Sequence, residues 1–279
     1  MIKNLVGGIA VGIANVIPGV SGGTMMVILG IFNRTTEAIS GIFKKENPNR
    51  KDDFLFLFQV LLGAAIGLIG FAKILEYLFN YYPTQTMYWF IGLIAFSIPL
   101  FLKGEMQGEK IKWIPLICGL AVIFGLELLN PGEGTTEMNP DFPPITMALC
   151  IKMIFVGIIG GATMLMPGVS GSMVLLILGE YYLFKSYLAH VTSFSLQVLI
   201  PLAFIGLGVL IGVVLSAKVC DFFLKRTKAA FLSFILGLII ASSLVLIPFH
   251  VAYDFPLIMT SLLALLFGGA IVMGLGKLQ

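Results

Sequence analysis

Two copies of one short sequence decide how this chain folds. The first is PGVSGGTMMVILG at residues 18–30, and the second is PGVSGSMVLLILG at residues 167–179. Each copy lies within a long apolar stretch. Proline lacks a backbone N–H group and disfavours the helical conformation at the residue before it. We therefore predict that each stretch is broken into two half-helices at its Pro-Gly pair.

The composition places these segments in a membrane. Of 279 residues, 58% are hydrophobic and only 11% are charged, and the mean hydropathy is +1.04. A soluble domain carries about 25% charged residues, so this chain cannot build a water-facing surface. The apolar run before Pro18 has no small-residue cleavage site, and we expect it to be retained. The sequence predicts an all-α polytopic membrane protein without a separate soluble domain.

The chain is duplicated. A shift of 149 residues aligns residues 3–30 with 152–179, and 12 of these 28 positions are identical. A shift of 145 then matches small, basic and acidic positions as well as apolar ones, namely Gly63 with Gly208, Gly67 with Gly212, Lys73 with Lys218, Glu76 with Asp221, and Gly92 with Gly237. We predict a first repeat at 1–129, an external linker at 130–146 and a second repeat at 147–279.

Each repeat is expected to cross the membrane three times. The predicted spans are 54–79, 86–102, 113–129, 194–220, 229–248 and 256–275. Segment 2–16 rises only about 22 Å as a helix, at about 1.5 Å per residue, which is less than the ~30 Å hydrocarbon core. We therefore expect each PGVSG segment to form a re-entrant hairpin that enters and leaves on one face. Three crossings per half would insert the halves in opposite orientations, as in inverted-repeat transporters.

The distribution of basic residues agrees with this count. Lys and Arg concentrate in loops 34–53, 103–112 and 225–228, which the predicted topology places on one side. The loops assigned to the other side contain neither residue, at 77–87, 130–146 and 249–255; the exceptions on that side are Lys152 and Lys185. The positive-inside rule then predicts both termini in the cytoplasm and linker 130–146 outside.

The broken helices suggest an anion site. A half-helix that begins at the midplane directs free N–H groups and the positive end of its dipole towards the centre. A glycine-rich helix start suits a phosphate. The predicted substrate-binding residues of the two segments are Gly19, Ser21, Gly22, Gly23, Thr24, Gly168, Ser170, Gly171 and Ser172. The alternative is a proline kink with small residues for packing, which is our interpretation of Gly8-x3-Gly12 and Gly157-x3-Gly161.

Among the other polar residues of the apolar segments, Lys73, Lys218 and Asn15 allow two interpretations each. Lys73 and Lys218 either guide an anionic headgroup at each mouth of the pathway or pair with Glu76 and Asp221 near helix ends. Asn15 either binds substrate or caps backbone groups freed by the break. Lys3 and Lys152 are expected to be interfacial anchors, and Glu180 is expected to be solvated.

Little in the sequence supports catalysis. Two histidines and three scattered cysteines offer no metal site, and neither GxSxG nor HExxH occurs. General acid/base chemistry needs a positioned proton carrier, and both histidines lie far from PGVSG in sequence. We therefore expect no enzyme activity, no cofactor and no nucleic-acid partner.

The two broken segments resemble a known family. GIANVIPGVSGGTMMVILGIF at 12–32 and GATMLMPGVSGSMVLLILGEYY at 161–182 are similar to the paired signatures of the bacterial polyprenyl-phosphate transporters, formerly a family of unknown function. The resemblance implies translocation of undecaprenyl phosphate across the bacterial cytoplasmic membrane, which recycles the carrier lipid of cell-wall synthesis. It leaves open a coupling cation (H⁺ or Na⁺) and a homo-oligomer.

The alternative is a secondary transporter of a small soluble anion, because the same helix starts would serve it. The shape of the site distinguishes the two. An enclosed polar cavity would favour the soluble anion, whereas a side opening to lipid would favour the lipid carrier.

Overall fold

The computed structural model describes residues 2–16, 21–42, 47–130, 142–249 and 251–276. This part of the chain contains thirteen α-helices, one 3₁₀ turn and no strand, so the all-α prediction is confirmed. In chain order the helices are α1 (Ile2–Val16), α2 (Gly22–Ile28), α3 (Phe32–Ile42), α4 (Arg50–Tyr81), α5 (Pro83–Ala95), α6 (Ser97–Lys103), α7 (Trp113–Leu129), α8 (Met147–Met164), α9 (Gly171–Ile177), α10 (Tyr181–Ala189), α11 (Leu196–Arg226), α12 (Lys228–Val245) and α13 (Phe255–Gly276).

Six helical segments of the described chain are long and apolar enough to cross a membrane. They are Arg50–Phe71, Pro83–Lys103, Met147–Met164, Leu196–Arg226, Lys228–Val245 and Phe255–Gly274. Five overlap predicted spans. The sixth is α8, which the sequence assigns to a hairpin. The predicted span 113–129 is helix α7, which has the predicted bounds and is shorter than these six segments. Helix α8 begins at Met147, five residues before the aligned repeat at Lys152. Thr146 caps its start, since the Thr146 hydroxyl accepts a hydrogen bond from the Leu149 N–H group at 3.1 Å.

The half-helices after the breaks are short. Helix α2 ends at Ile28, because Gly30 adopts a left-handed φ of 65°. The Ile31 N–H group bonds to the Met26 carbonyl at 2.9 Å, and the Gly30 N–H group to the Val27 carbonyl at 3.0 Å, which closes the helix end. Gly179, with a φ of 73°, ends α9 in the same way. The polar segment after Gly30, predicted to be a loop, begins as α3.

Helix boundaries recur along the chain at the sequence shifts of the duplication. Helices α2 and α9 start 149 residues apart, as do α3 and α10. Helices α4 and α11 end 145 residues apart, and α5 and α12 start 145 residues apart. Within each half the first helix packs on the long one, α1 on α4 and α8 on α11. Helices α5 with α13, and α7 with α12, pack between the halves. Insertion of the halves in opposite orientations stays a prediction.

Glycines let the paired helices touch backbone to backbone. A Cβ atom on Gly8 or Gly67 would lie 2.3 or 2.1 Å from a carbonyl oxygen of the facing helix in the α1–α4 pair. Gly157 and Gly212 have the same relation in the α8–α11 pair, at 2.2 and 2.1 Å. No larger residue fits at these crossings, so the packing interpretation of the Gly-x3-Gly motifs is confirmed.

Hydrogen bonds near the helix ends show which loops share an end of the bundle. At one end the Ser40 hydroxyl donates to the Asp221 carboxylate at 3.2 Å, and the Lys112 N–H group donates to the Ser233 hydroxyl at 2.9 Å. These contacts lie in or beside the basic loops 34–53, 103–112 and 225–228. At the other end the Tyr88 and Tyr253 hydroxyl groups lie 3.2 Å apart. The basic loops therefore share one end of the bundle, as the distribution of Lys and Arg predicts. Which end faces the cytoplasm stays a prediction.

A glycine at a helix crossing should tolerate no side chain. In Gly212→Ala the new methyl group would collide with the Ile158 carbonyl oxygen, and such overpacking costs about 1–3 kcal/mol or more. Gly206→Ala, on the same helix with open space around it, is the matched control and should unfold at or slightly above the wild-type temperature. Thermal unfolding in detergent measures both. Equal unfolding temperatures for the two variants would contradict the backbone contact.

Candidate functional site

The two broken segments contact each other directly. The Ser21 hydroxyl donates to the Met166 carbonyl oxygen at 2.9 Å, and the Gly168 N–H group donates to the Thr24 hydroxyl at 2.7 Å. Ser21 and Thr24 are 4% and 1% exposed. Gly23 packs against the backbone just before Pro167, since a Cβ on it would be 2.7 Å from the Leu165 carbonyl oxygen. The start of α2 therefore packs on the break that precedes α9.

Two backbone N–H groups at the start of α2 bond to side chains of the protein. The Thr24 N–H group donates to the Ser21 hydroxyl at 3.2 Å, and the Gly22 N–H group donates to the Asn15 side-chain oxygen at 3.1 Å. Asn15 thus caps a backbone group freed by the break, which is one of its two predicted roles. The predicted residue Gly19 lies in 17–20, outside the described residues. In this conformation α2 presents a closed, hydrogen-bonded end.

The start of α9 is arranged differently and faces a cavity. Ser170 makes no capping bond through its side chain; its hydroxyl oxygen lies 2.9 Å from that of Ser172. The cavity in front of them has a volume of about 290 Å³. Its described lining is Met87, Ile123, Glu127, Asn130, Gly168, Ser170, Ser172, Met173, Leu176, Tyr181, Ser242, Val245 and Leu246. Three of the predicted site residues, Gly168, Ser170 and Ser172, line this cavity. Gly171 lies between the two serines in sequence.

Ser242 on α12 supports the break from the other side. Its hydroxyl lies 2.6 Å from the Leu238 carbonyl oxygen and 3.3 Å from that of Gly168. Gly168 has a φ of 80°, and a Cβ on it would lie 2.5 Å from the Ser242 hydroxyl oxygen, so only glycine fits. We did not predict Ser242. A signal was present, since Ser97 occupies the equivalent position at the 145-residue shift.

An apolar groove continues from the cavity. Its volume is about 690 Å³, and it shares Met87, Glu127, Val245 and Leu246 with the cavity. The rest of its described lining is Phe124, Leu244, Ile247, Pro248 and Phe249. Three of these side chains are exposed on the outer surface of the bundle: Phe124 at 40%, Leu244 at 44% and Phe249 at 80%. The cavity is therefore continuous with an exposed apolar surface.

The structure does not place Lys218 in the cavity. Lys218 is exposed on α11 and is not among the lining residues. Asp221, its proposed partner, forms an ion pair with Lys225 at 2.7 Å. The side chains of Lys73 and Glu76 lie outside the described residues.

Glu180 is not the solvated residue that we expected. Its carboxylate pairs with the Lys152 ammonium group at 2.6 Å, and its side chain is only 15% exposed. This pair joins the start of α8 to the end of α9. The pair brings the end of α9 back beside the start of α8, and the re-entrant course of this hairpin stays a prediction.

A second cavity lies at the end of the bundle that carries the basic loops. Its volume is about 740 Å³, and its lining includes Asn4, Gly30, Arg34 and Glu105. Asn33 donates a hydrogen bond to Glu105. Burial raises the pKa of the Glu105 carboxyl, and the positive charge of Lys228 opposes that rise. The structure thus has one cavity beside the start of α9 and another at the end that carries the basic loops, and each has polar residues in its lining.

The hydrogen bond between Thr24 and Gly168 should be measurable as stability. Thr24→Val keeps the side-chain shape but leaves the buried Gly168 N–H group without an acceptor, at a cost of about 1–3 kcal/mol. Thr24→Ser retains the hydroxyl group and is the matched control. Unfolding in detergent should separate the two variants. A valine variant as stable as the serine variant would show that the contact contributes nothing.

The comparisons with known proteins show which family the chain belongs to. The undecaprenyl phosphate translocase-like family model matches residues 11–263. A polyprenyl-phosphate transporter of Staphylococcus aureus is 28% identical over 198 residues, which cover 70% of this chain and 69% of that protein. A polyprenyl-phosphate transporter of Vibrio cholerae is 28% identical over 188 residues, 67% of this chain and 55% of that protein. No solved structure matches significantly. The chain is thus a multi-pass membrane protein that belongs to the undecaprenyl phosphate translocase-like family.

Proposed function

We propose that this protein moves a polyprenyl phosphate, undecaprenyl phosphate in bacteria, between the leaflets of the cytoplasmic membrane. The observation that carries the proposal is the joined pair of spaces, a hydroxyl-lined cavity that opens into an apolar groove. A soluble anion needs only the cavity. A lipid with a phosphate headgroup needs both, and the relatives named polyprenyl-phosphate transporters support that choice.

The headgroup is assigned to the cavity. Phosphate oxygens are strong hydrogen-bond acceptors, and the Ser170 and Ser172 hydroxyl groups supply donors that make no capping bond. The N–H groups at the start of α9 add backbone donors beside them. Gly171 lies between these two serines and packs on α8, because a Cβ there would be 3.0 Å from the Thr163 hydroxyl oxygen.

The isoprenoid tail is assigned to the groove. Its aromatic and aliphatic lining, including Phe124 and Phe249, suits a hydrocarbon chain and offers no hydrogen-bond selectivity. Because the groove reaches the outer surface of the bundle, the tail can stay in the bilayer core while the headgroup moves. The protein then has to lower the barrier only for the phosphate, whose transfer into hydrocarbon is very costly.

Movement to the other leaflet requires the central contact to change. We place the Ser21–Met166 and Thr24–Gly168 hydrogen bonds as the barrier between the two cavities. The duplicated sequence suggests a second conformation, in which the start of α2 opens and that of α9 closes, with repeats 1–129 and 147–279 exchanging roles around linker 130–146. Both termini are assigned to the cytoplasm, and transport towards the cytoplasm would recycle the carrier lipid of cell-wall synthesis.

Removing a cavity hydroxyl should impair transport more than folding. Loss of a hydrogen bond to a charged group costs about 1.5–3 kcal/mol, so Ser170→Ala or Ser172→Ala should weaken headgroup binding roughly 10- to 150-fold. Ser243→Ala is the control, because that hydroxyl bonds to Ile240 of its own helix and does not line the cavity. Liposomes containing the purified protein and a short-chain polyprenyl phosphate measure exchange between leaflets.

Two outcomes would contradict the proposal. Serine variants that exchange the lipid like the control would remove the cavity from the pathway. Liposomes that accumulate inorganic phosphate and leave the lipid untouched would favour the soluble-anion alternative.

A further inference from the structure

The cavity at the end of the bundle that carries the basic loops is the counterpart of the cavity beside α9. Its volume is about 740 Å³. At the two shifts of the duplication, part of its lining aligns with residues that line the cavity beside α9. The aligned pairs are Val27 with Leu176, Leu100 with Val245, and Phe101 with Leu246. The two cavities therefore use equivalent positions of the two repeats.

Polar residues distinguish this cavity from the equivalent region of the second repeat. Asn4, Arg34 and Gln59 line it, and Asp53 pairs with Arg34. In the second repeat the aligned residues are apolar and pack in one cluster, so the fold is satisfied by apolar side chains there. They are Met153 for Asn4, Leu183 for Arg34, Val198 for Asp53 and Phe204 for Gln59. Polar groups inside a membrane protein are costly, and a set that replaces an apolar cluster indicates a ligand site.

Arg34 is held in position for an anion. Its Nη1 atom lies 2.5 Å from an Asp53 carboxylate oxygen, and its guanidinium carbon lies 5.1 Å from the centre of the Phe56 ring. Asp53 is only 4% exposed and also accepts a hydrogen bond from the Asn47 amide at 2.8 Å. A guanidinium group carries five N–H donors in one plane. The Arg34 side chain is 40% exposed, so further donors of this plane can bind a phosphate in the cavity.

Two amide groups add neutral donors to the same cavity. The Asn4 amide donates to the Gln59 side-chain oxygen at 2.8 Å, and Gln59 is buried. Because this bond occupies the Gln59 oxygen, the side chain offers its NH₂ group to a ligand. The cavity thus combines a cation with hydrogen-bond donors, which is the combination that phosphate oxygens accept.

Charge alone does not make the cavity a site for a free anion. Arg34 is the one basic residue of the described lining, which also contains Asp52 and Glu105. Asp52 is exposed at the start of α4, and Glu105 accepts a hydrogen bond from Asn33. A small anion would meet one cation and two carboxyl groups, so the ligand needs a further source of binding free energy.

The apolar part of the lining supplies that free energy to a ligand with a hydrocarbon tail. Leu55 lines the cavity and is 51% exposed. Its neighbours on α4, Phe54 and Phe58, are exposed as well, and this helix is one of the segments long and apolar enough to cross a membrane. The cavity is therefore continuous with an exposed apolar surface of that helix, where burial of a tail is favourable.

We propose that this cavity is a second binding site for a lipid phosphate, in which Arg34 binds the phosphate oxygens and the apolar lining holds the first part of the tail. The inference rests on the proposed function, to which it adds a headgroup site at the end that carries the basic loops. Asp53 and Phe56 position Arg34. The headgroup then has one site with an arginine and another with the Ser170 and Ser172 hydroxyl groups.

Protection of a cysteine placed in the cavity tests this site separately from the cavity beside α9. Purified protein with Leu55→Cys, in a cysteine-free background, is alkylated with N-ethylmaleimide at rising concentrations of a short-chain polyprenyl phosphate. We expect the lipid to slow alkylation. The polyprenol with the same tail and inorganic phosphate should each need at least about tenfold higher concentrations, because each uses only one part of the lining.

Two variants test the role of Arg34. Arg34→Leu with Asp53→Val introduces the residues of the second repeat and leaves no unpaired charge, so the protein should fold. Half-protection should then need at least about tenfold more lipid, since hydrogen bonds to a charged group are lost. Arg34→Lys keeps the ion pair but lacks the planar set of donors, and it should also weaken protection. Lys225→Leu with Asp221→Val removes another ion pair at this end, outside the described lining, and should match the wild type as the control.

The other outcomes separate the inference from the proposed function. Folded Arg34 variants that are protected at the wild-type lipid concentration would overturn the inference. So would equal protection by the polyprenol or by inorganic phosphate, since the phosphate or the tail would then have no part in binding. A protein without protection that still exchanges the lipid between liposome leaflets would overturn the inference and leave the proposed function standing. A wild type that shows neither protection nor exchange refutes both.

Discussion

The whole architecture depends on satisfying backbone polar groups where two apolar helices are broken inside the bundle. An unpaired N–H or carbonyl group away from water costs several kcal/mol, so each break needs partners. The protein finds them by packing the breaks on each other, with Thr24 accepting from the Gly168 N–H group and Ser21 donating to the Met166 carbonyl. Glycine crossings hold the flanking helices close enough for these bonds to form.

The same sequence, PGVSG, performs two different tasks in the two halves. Before α2 its serine caps the helix and closes it against the other segment. Before α9 its serine makes no capping bond and lines a cavity. The difference arises from the neighbours: Asn15 and Thr24 fill the donors and acceptors of the first segment, and Met164 and Met173 replace them in the second. Two equivalent segments held in two environments are what an alternating mechanism requires.

The features set by the backbone could be predicted from the sequence. Pro167 and Gly168 marked the second break, and the repeated Gly-x3-Gly spacing marked the close crossings. Features that depend on contacts between distant helices were not predicted, notably Ser242 beside Gly168 and Glu127 at the mouth of the cavity. Lys218, for which two roles were predicted, is exposed on α11 and does not line the cavity, so its role stays a prediction. A repeat shows that a position matters without showing which surface it faces.

Headgroup binding is the measurement that tests the central claim most directly. Purified protein in detergent can be titrated with a short-chain polyprenyl phosphate and with inorganic phosphate, with binding followed by calorimetry. If the cavity holds the headgroup and the groove holds the tail, the lipid should bind at least about 100-fold more tightly, since each buried CH₂ group contributes about 0.8 kcal/mol. Equal affinity for inorganic phosphate would contradict the account, because the groove would then have no part in recognition.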